Sequence, residues 1–317
     1  MLRNLLSYWP LLVLSLWSCR KDVQGFYPYA PSAQDLGNLL SEKVPNASTH
    51  STFTFSFLAN DITLETPSGA RVFLVDTDHL FSNVGSGQPL LCSTCPDLKI
   101  EITEVLDKGD ILARGLNTIG DSGTLFESGG MVRVTASCSG QQLALLPGRT
   151  MKIQIPNKNQ QNGFFVFNKI PSTTGQGWIS SNQKVFKAEW PLGNGIQLGY
   201  EVLAENLGWV ACGRPVTDPS SLFCVELPSG FADQNTLAYV VFKDQQIVAP
   251  LQFALGQNKF CYPKTPAGFQ VQLVAVSKLG DQFWLGKAET EVGTNTTFPL
   301  STQQLTETAL LNFVKGL

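Results

Sequence analysis

Histidine is nearly missing from this chain: His50 and His79 are the only two in 317 residues. A catalytic triad, a histidine-rich metal site or histidine acid–base chemistry therefore has few residues to draw on. Charge is also sparse, 15% of the chain, and acidic side chains outnumber basic ones to leave a net charge of −3. Phosphate backbones are bound by a basic face, so nucleic acid is excluded as a partner. Beyond Trp17 no apolar run approaches the roughly 18 residues that a bilayer span requires. What is present is a globular composition, 43% hydrophobic, with length for about two domains.

The N-terminus carries an address. Arg3 precedes an apolar stretch, Leu5 to Trp17, which is too short to span a bilayer and matches the hydrophobic region of an export signal. It closes on Leu16-Trp17-Ser18-Cys19, which resembles the bacterial lipoprotein signal, where the cysteine is acylated and becomes the mature N-terminus. The resemblance implies a protein held to a membrane by lipid on Cys19. Arg20 stands where an aspartate would retain such a protein, which resembles lipoproteins sent on to the outer membrane.

The body reads as strands. Residues 20–34 have the composition of a tether, and Leu36, Leu39 and Leu40 give the spacing of a short helix after Ser32. From Phe53 the apolar period drops to two and recurs through Ile62–Leu64, Ala70–Leu74, Leu98–Val105, Met131–Ala136 and Met151–Ile155, with glycine-rich turns between. The same signal returns after Ser221, and Ser301-Thr302-Gln303-Gln304 reads as a capping box before a terminal helix with Leu305, Ala309 and Phe313 on one face and Leu310 and Val314 beside them. The expected fold is all-β: two antiparallel β-sandwich domains with a short N-terminal helix and a C-terminal helix. The segments are a signal peptide (1–18), an anchor, tether and short helix (19–50), a sandwich (51–157), a β-rich connecting region (158–220) and a smaller sandwich with the helix (221–317).

Residues 62–155 carry a turn at Thr66–Ala70, a strand ending in Glu104–Asp110, then Leu125–Met131 and Leu143–Pro147. This arrangement resembles uncharacterised lipoproteins of Bacteroidetes-type bacteria, with a sandwich similar to that of zonula-occludens proteins and netrin receptors. The resemblance implies a domain used for assembly and supplies no catalytic residues.

Candidate sites are few. Acylation of Cys19 leaves six cysteines, an even number suited to disulfides in an oxidising compartment, with fifteen pairings open. Cys92 and Cys95 have two-residue spacing, but a strand follows them, whereas a redox pair needs a helix N-terminus; a disulfide loop is the expected reading. Zinc would need a second such pair, which the sequence lacks, so no metal and no cofactor is expected. Asp76, Asp78 and His79 offer metal-type donors or a hydrolase site, against a plain polar turn. Trp190, Trp209 and Trp284, with Trp178 and Phe283, offer a sugar-stacking platform, against ordinary core packing. The expectation that follows is a non-enzymatic, lipid-anchored protein of the bacterial outer membrane in an assembly, adhesion or binding role, partnered by other envelope proteins or glycans. The alternative is a carbohydrate-binding lipoprotein of a glycan-uptake system.

Overall fold

The computed structural model describes residues 33–169, 177–293 and 296–317, all within one compact unit. Cys19 and the signal segment lie outside the described residues. The first element, α1 (Ala33–Lys43), buries Leu36 and Leu40, which its i, i+4 spacing places on one face. The first sandwich then takes β1 (His50–Phe55), β2 (Ile62–Glu65), β3 (Arg71–Leu74), β4 (Phe81–Asn83), β5 (Pro89–Leu90) and β6 (Leu98–Val105). Helix α2 (Lys108–Ala113) interrupts it before β7 (Phe126–Cys138), β8 (Gln141–Leu145), β9 (Met151–Pro156) and β10 (Phe165–Asn168). It is completed by β11 (Ile179–Lys184), β12 (Phe186–Leu192), β13 (Gly195–Ala204) and β14 (Gly208–Pro215).

These strands make a nine-stranded sheet around β7, which pairs with β6, β8 and β14, and a five-stranded sheet in the order β12-β13-β9-β3-β2. Leu98, Ile100 and Ile102 of β6 and Val132, Val134 and Ala136 of β7 point inward and meet Val72, Ile153 and Val202 of the facing sheet. The segment 158–220, expected to be a β-rich connecting region, supplies β10 to β14, which pair within the sheets of the first sandwich as far as Pro215. Its pairing explains the difference: β13 bonds to β9 and β14 to β7, contacts too distant in sequence for any local period to show.

The second sandwich holds β15 (Ser220–Glu226), β16 (Thr236–Phe242), β17 (Val248–Pro250), β18 (Gln252–Ala254) and β19 (Lys259–Pro266). After these come β20 (Gln270–Leu279), β21 (Gln282–Glu291), β22 (Thr296–Pro299) and β23 (Thr302–Leu305), then α3 (Glu307–Lys315). One sheet runs β18-β19-β15-β22, with β15 and β22 parallel, and the other β17-β16-β20-β21-β23. Val240, Leu273 and Ala275 belong to the core between these sheets, while Tyr239, Val241, Val274 and Val276, one residue along, face the opposite way. Strands β16 and β20 are therefore buried on both sides, which is why they read as continuous apolar runs.

That second burial is a middle layer. The outer end of the nine-stranded sheet (Val105, Phe126, Met131, Phe167, Ala211) and the outer face of β16, β20 and β21 enclose α1, α2 and α3 in one cluster. The C-terminal helix starts later than its expected capping box: residues 302–305 pair with β21, and Thr306 is the N-cap, accepting from the Ala309 amide at 3.2 Å. The buried face is Leu310 and Val314. Residues 302–305 take the edge of β21 as a strand, and the helix that follows buries the Leu310 and Val314 side of the expected apolar stripe.

Candidate polar cleft between the sandwiches

Three of the sequence segments noted above, Thr66–Ala70, Glu104–Asp110 and Leu125–Met131, meet at one place. They line a cleft of about 470 Å3, with the Pro156–Gln161 segment on one side and the β16–β17 hairpin on the other.

The Thr66–Ala70 turn closes with the Thr66 amide donating to the Ala70 carbonyl at 2.9 Å, while Gly69 takes φ +97°, a conformation that favours glycine. Beneath it lies Glu104, fully buried, whose carboxylate accepts from the Ser68 hydroxyl. Its other oxygen, Oε1, has no hydrogen-bond partner among the described residues. Burial raises the Glu104 pKa, partly offset by the bonds from Ser68, Thr66 and the Ala70 amide. The Gly69 carbonyl accepts from the Trp190 indole at 2.9 Å, so the turn is held from two sides.

The second segment fastens the two sandwiches together. Lys108 donates to the carbonyls of Phe242 and Lys243, at 2.7 and 3.0 Å, and burial pushes its pKa down. The Gln246 amide donates to the Leu106 carbonyl, and the Gln246 carbonyl accepts from the Ser128 amide at 2.9 Å. The third segment bends around Gly129 and Gly130. A Cβ on Gly129 would stand 2.8 Å from the Tyr200 ring and one on Gly130 2.6 Å from Ile155, distances that real side chains do not adopt. Next to this bend Arg214 donates to Glu127 through Nε at 3.0 Å and also through Nη2. Asn157 donates to the Gly129 carbonyl at 3.0 Å, and Phe164 stacks on Tyr200 with centroids 4.8 Å apart.

The cleft is thus lined by carboxamides (Asn157, Asn159, Gln161, Gln197, Gln245, Gln246), two serine hydroxyls, three lysines and the carboxylates of Glu127 and Asp244, over a small apolar floor. Such a lining recognises polar ligands by hydrogen bonding. Sequence reading missed it because Pro156–Gly163 looked like a boundary; the available signals were the turn punctuation of the three segments and the Gly129-Gly130 pair inside a strand.

The predicted residues are dispersed. Cys95 bonds to Cys138, with Cα atoms 6.0 Å apart, and Cys224 bonds to Cys261. The expected loop between Cys92 and Cys95 is corrected: Cys92 is free and buried, with its thiol pushed up to about 11 by burial and then by the charge of Asp78. The reason is register, since β6 and β7 pair Leu98 with Cys138 and so bring the end of β7 to Cys95. Cys212 is also free and buried.

The tryptophans form no common face. Trp190 is buried on β12, Trp209 is half-buried on β14 beside Arg133, and Trp284 packs edge-on against Phe231 on β21, 5.8 Å between centroids. Trp178 is fully buried and donates to the Asn117 carbonyl. Of Asp76, Asp78 and His79 the structure brings two together: Asp76 lies 2.7 Å from His79 Nδ1 and 3.0 Å from Arg149, whereas Asp78 turns away and accepts from the Ser93 amide and hydroxyl at 2.7 Å. Both carboxyls are held below their ordinary values, Asp76 chiefly by His79 and Asp78 chiefly by Ser93. Among the described residues no group of three or more His, Cys, Asp or Glu side chains is placed to hold a metal ion, and no helix is long and apolar enough to cross a membrane.

No protein-family model and no curated protein matches the chain.

Proposed function

We propose that the chain is a non-enzymatic cell-envelope protein, tethered to the bacterial outer membrane by lipid on Cys19, in which two interlocked sandwiches serve assembly, adhesion or binding. The observation that carries this reading is the placement of the disulfides. Each sandwich has one, Cys95–Cys138 and Cys224–Cys261, and such bonds belong to chains folded in an oxidising compartment. An exported chain with an apolar leader ending at a cysteine fits the lipid-anchored class. The cleft supports a binding role, because pockets at the junction of domains are the usual recognition sites of multi-domain proteins. A glycan, if it is the ligand, would use the carboxamides there, since the tryptophans are apart.

The test is the mass of the mature N-terminal peptide from native membranes, with and without Cys19→Ala. A lipid-modified Cys19, with the variant released to the soluble fraction, is expected. An unmodified Cys19 on a soluble chain would overturn both the anchor and the localisation.

A further inference from the structure

The end of the first sandwich away from the tether's helix displays apolar side chains on a closed ring of loops. The β1–β2 loop is bound to the β5–β6 loop by the Phe57 amide donating to the Cys95 carbonyl at 2.8 Å, and to the β3–β4 loop by the Asp76 amide donating to Asp61 at 2.8 Å. Ser93 closes the circuit by donating to Asp78. The disulfide at Cys95 fixes the ring to β7.

This scaffold holds Phe57, Val75 and Leu91 outward, 59, 57 and 44% exposed. Phe57 also sits at φ +56°, a left-handed conformation that a bulky residue adopts only when its surroundings impose it. The loop ring thus overrides both the backbone preference of Phe57 and the tendency of its ring to be buried. The same loops carry the exposed carboxylates of Asp61, Asp76 and Asp97, with Asp78 half-buried; Asp76 is paired with both Arg149 and His79, which leaves Asp61 and Asp97 as carboxylates with no ion pair among the described residues.

We propose that this loop end is a docking surface for a cationic protein segment that carries an apolar side chain, with Phe57 as the central anchor. The charge decides the occupant. An anionic lipid surface would be repelled by the aspartates, and a second copy would set the same acidic rim against itself, whereas lysine or arginine flanking an apolar residue pairs with the rim while covering Phe57. A pre-tied ring loses little freedom on binding, which suits a recognition surface. The proposal rests on the binding role argued above, and not on the lipid anchor.

The test places a photo-crosslinking residue at position 57 and, in a second strain, at position 158 in the cleft, and sequences the captured peptides from intact cells. Crosslinks from position 57 to a segment with basic residues around an apolar one are expected, lost several-fold in Asp97→Lys. Crosslinks to lipid, to a second copy or to an acidic segment overturn the proposal. Capture from position 158 alone leaves the binding role standing and removes this surface; capture from neither removes both. Phe57→Gly separates docking from folding: it relieves the left-handed backbone, so its melting temperature is expected to be unchanged or higher while partner capture by a crosslinker at position 91 falls at least tenfold. Undiminished capture by that variant would remove Phe57 as the anchor.

Discussion

At the scale of single residues, two buried groups make measurable predictions. Asp110 of α2 is pushed up to about 6 by burial, with Asp107 adding to the effect and Arg114 opposing it. The folded protein therefore binds that proton more tightly than the unfolded chain, whose carboxyl titrates near 3.8. Its stabilising contribution is full below the unfolded value and is lost as pH rises through about 6. A shift of that size corresponds to about 2–3 kcal/mol. Denaturant midpoints at pH 4 and pH 7 should show the wild type losing stability relative to Asp110→Asn by that order; parallel profiles would count against the assignment. The second prediction concerns sulfur. Cys138→Ser opens a bridge spanning 43 residues and is expected to cost about 2–4 kcal/mol, with Cys95 newly reactive to a thiol reagent in denaturant. Cys92→Ser should leave both bridges intact. The pairing was not legible in the sequence, because it depends on which residue of β7 stands opposite Leu98, and strand register is a property of two distant segments.

At the scale of elements, one of the tightest contacts is between helices. A Cβ on Gly109 would stand 2.2 Å from the Val314 carbonyl oxygen, so α2 and α3 can approach only because residue 109 has no side chain. Gly109→Ala is expected to destabilise the fold by about 1–3 kcal/mol, the usual cost of overpacking, and to raise amide hydrogen exchange first in residues 307–315. Equal protection of that helix in variant and wild type would refute the contact. Helix α1 was legible from Leu36 and Leu40 because a three-to-four spacing is local information. The strands β10 to β14 were less so. Phe186, on the edge strand β12, and Ile196, near the start of β13, are exposed, 65 and 72%, where an alternating pattern would put polar residues, and this blurs the period that identifies a strand. The cleft was legible only in fragments. Its turns were visible as glycine and proline punctuation, but Asn157, Gln197 and Gln246 reach it from segments with no motif of their own.

At the scale of the molecule, the two sandwiches share the helical middle layer, so neither can lose its fold without exposing apolar surface on the other. Calorimetry should show one cooperative transition for the intact chain, with Leu310→Ala and Val314→Ala each lowering it as a whole; two separate transitions in the wild type would mean that the layer does not couple the halves. The all-β class and the presence of two sandwiches were readable from strand period and turn spacing. Their interlocking was not, although the doubly apolar runs of β16 and β20 were its trace.

Those two strands have a consequence for tolerance to mutation. With β16 and β20 closed on both faces, the second half of the molecule offers solvent chiefly the outer side of the sheet β18-β19-β15-β22 and the loops around it. A saturation screen for stability should therefore find every position from 273 to 276 intolerant of polar residues, with no alternation, whereas the first half of β19 should alternate between strict and permissive sites. Variation that creates new surface properties in this half has only that one side on which to accumulate.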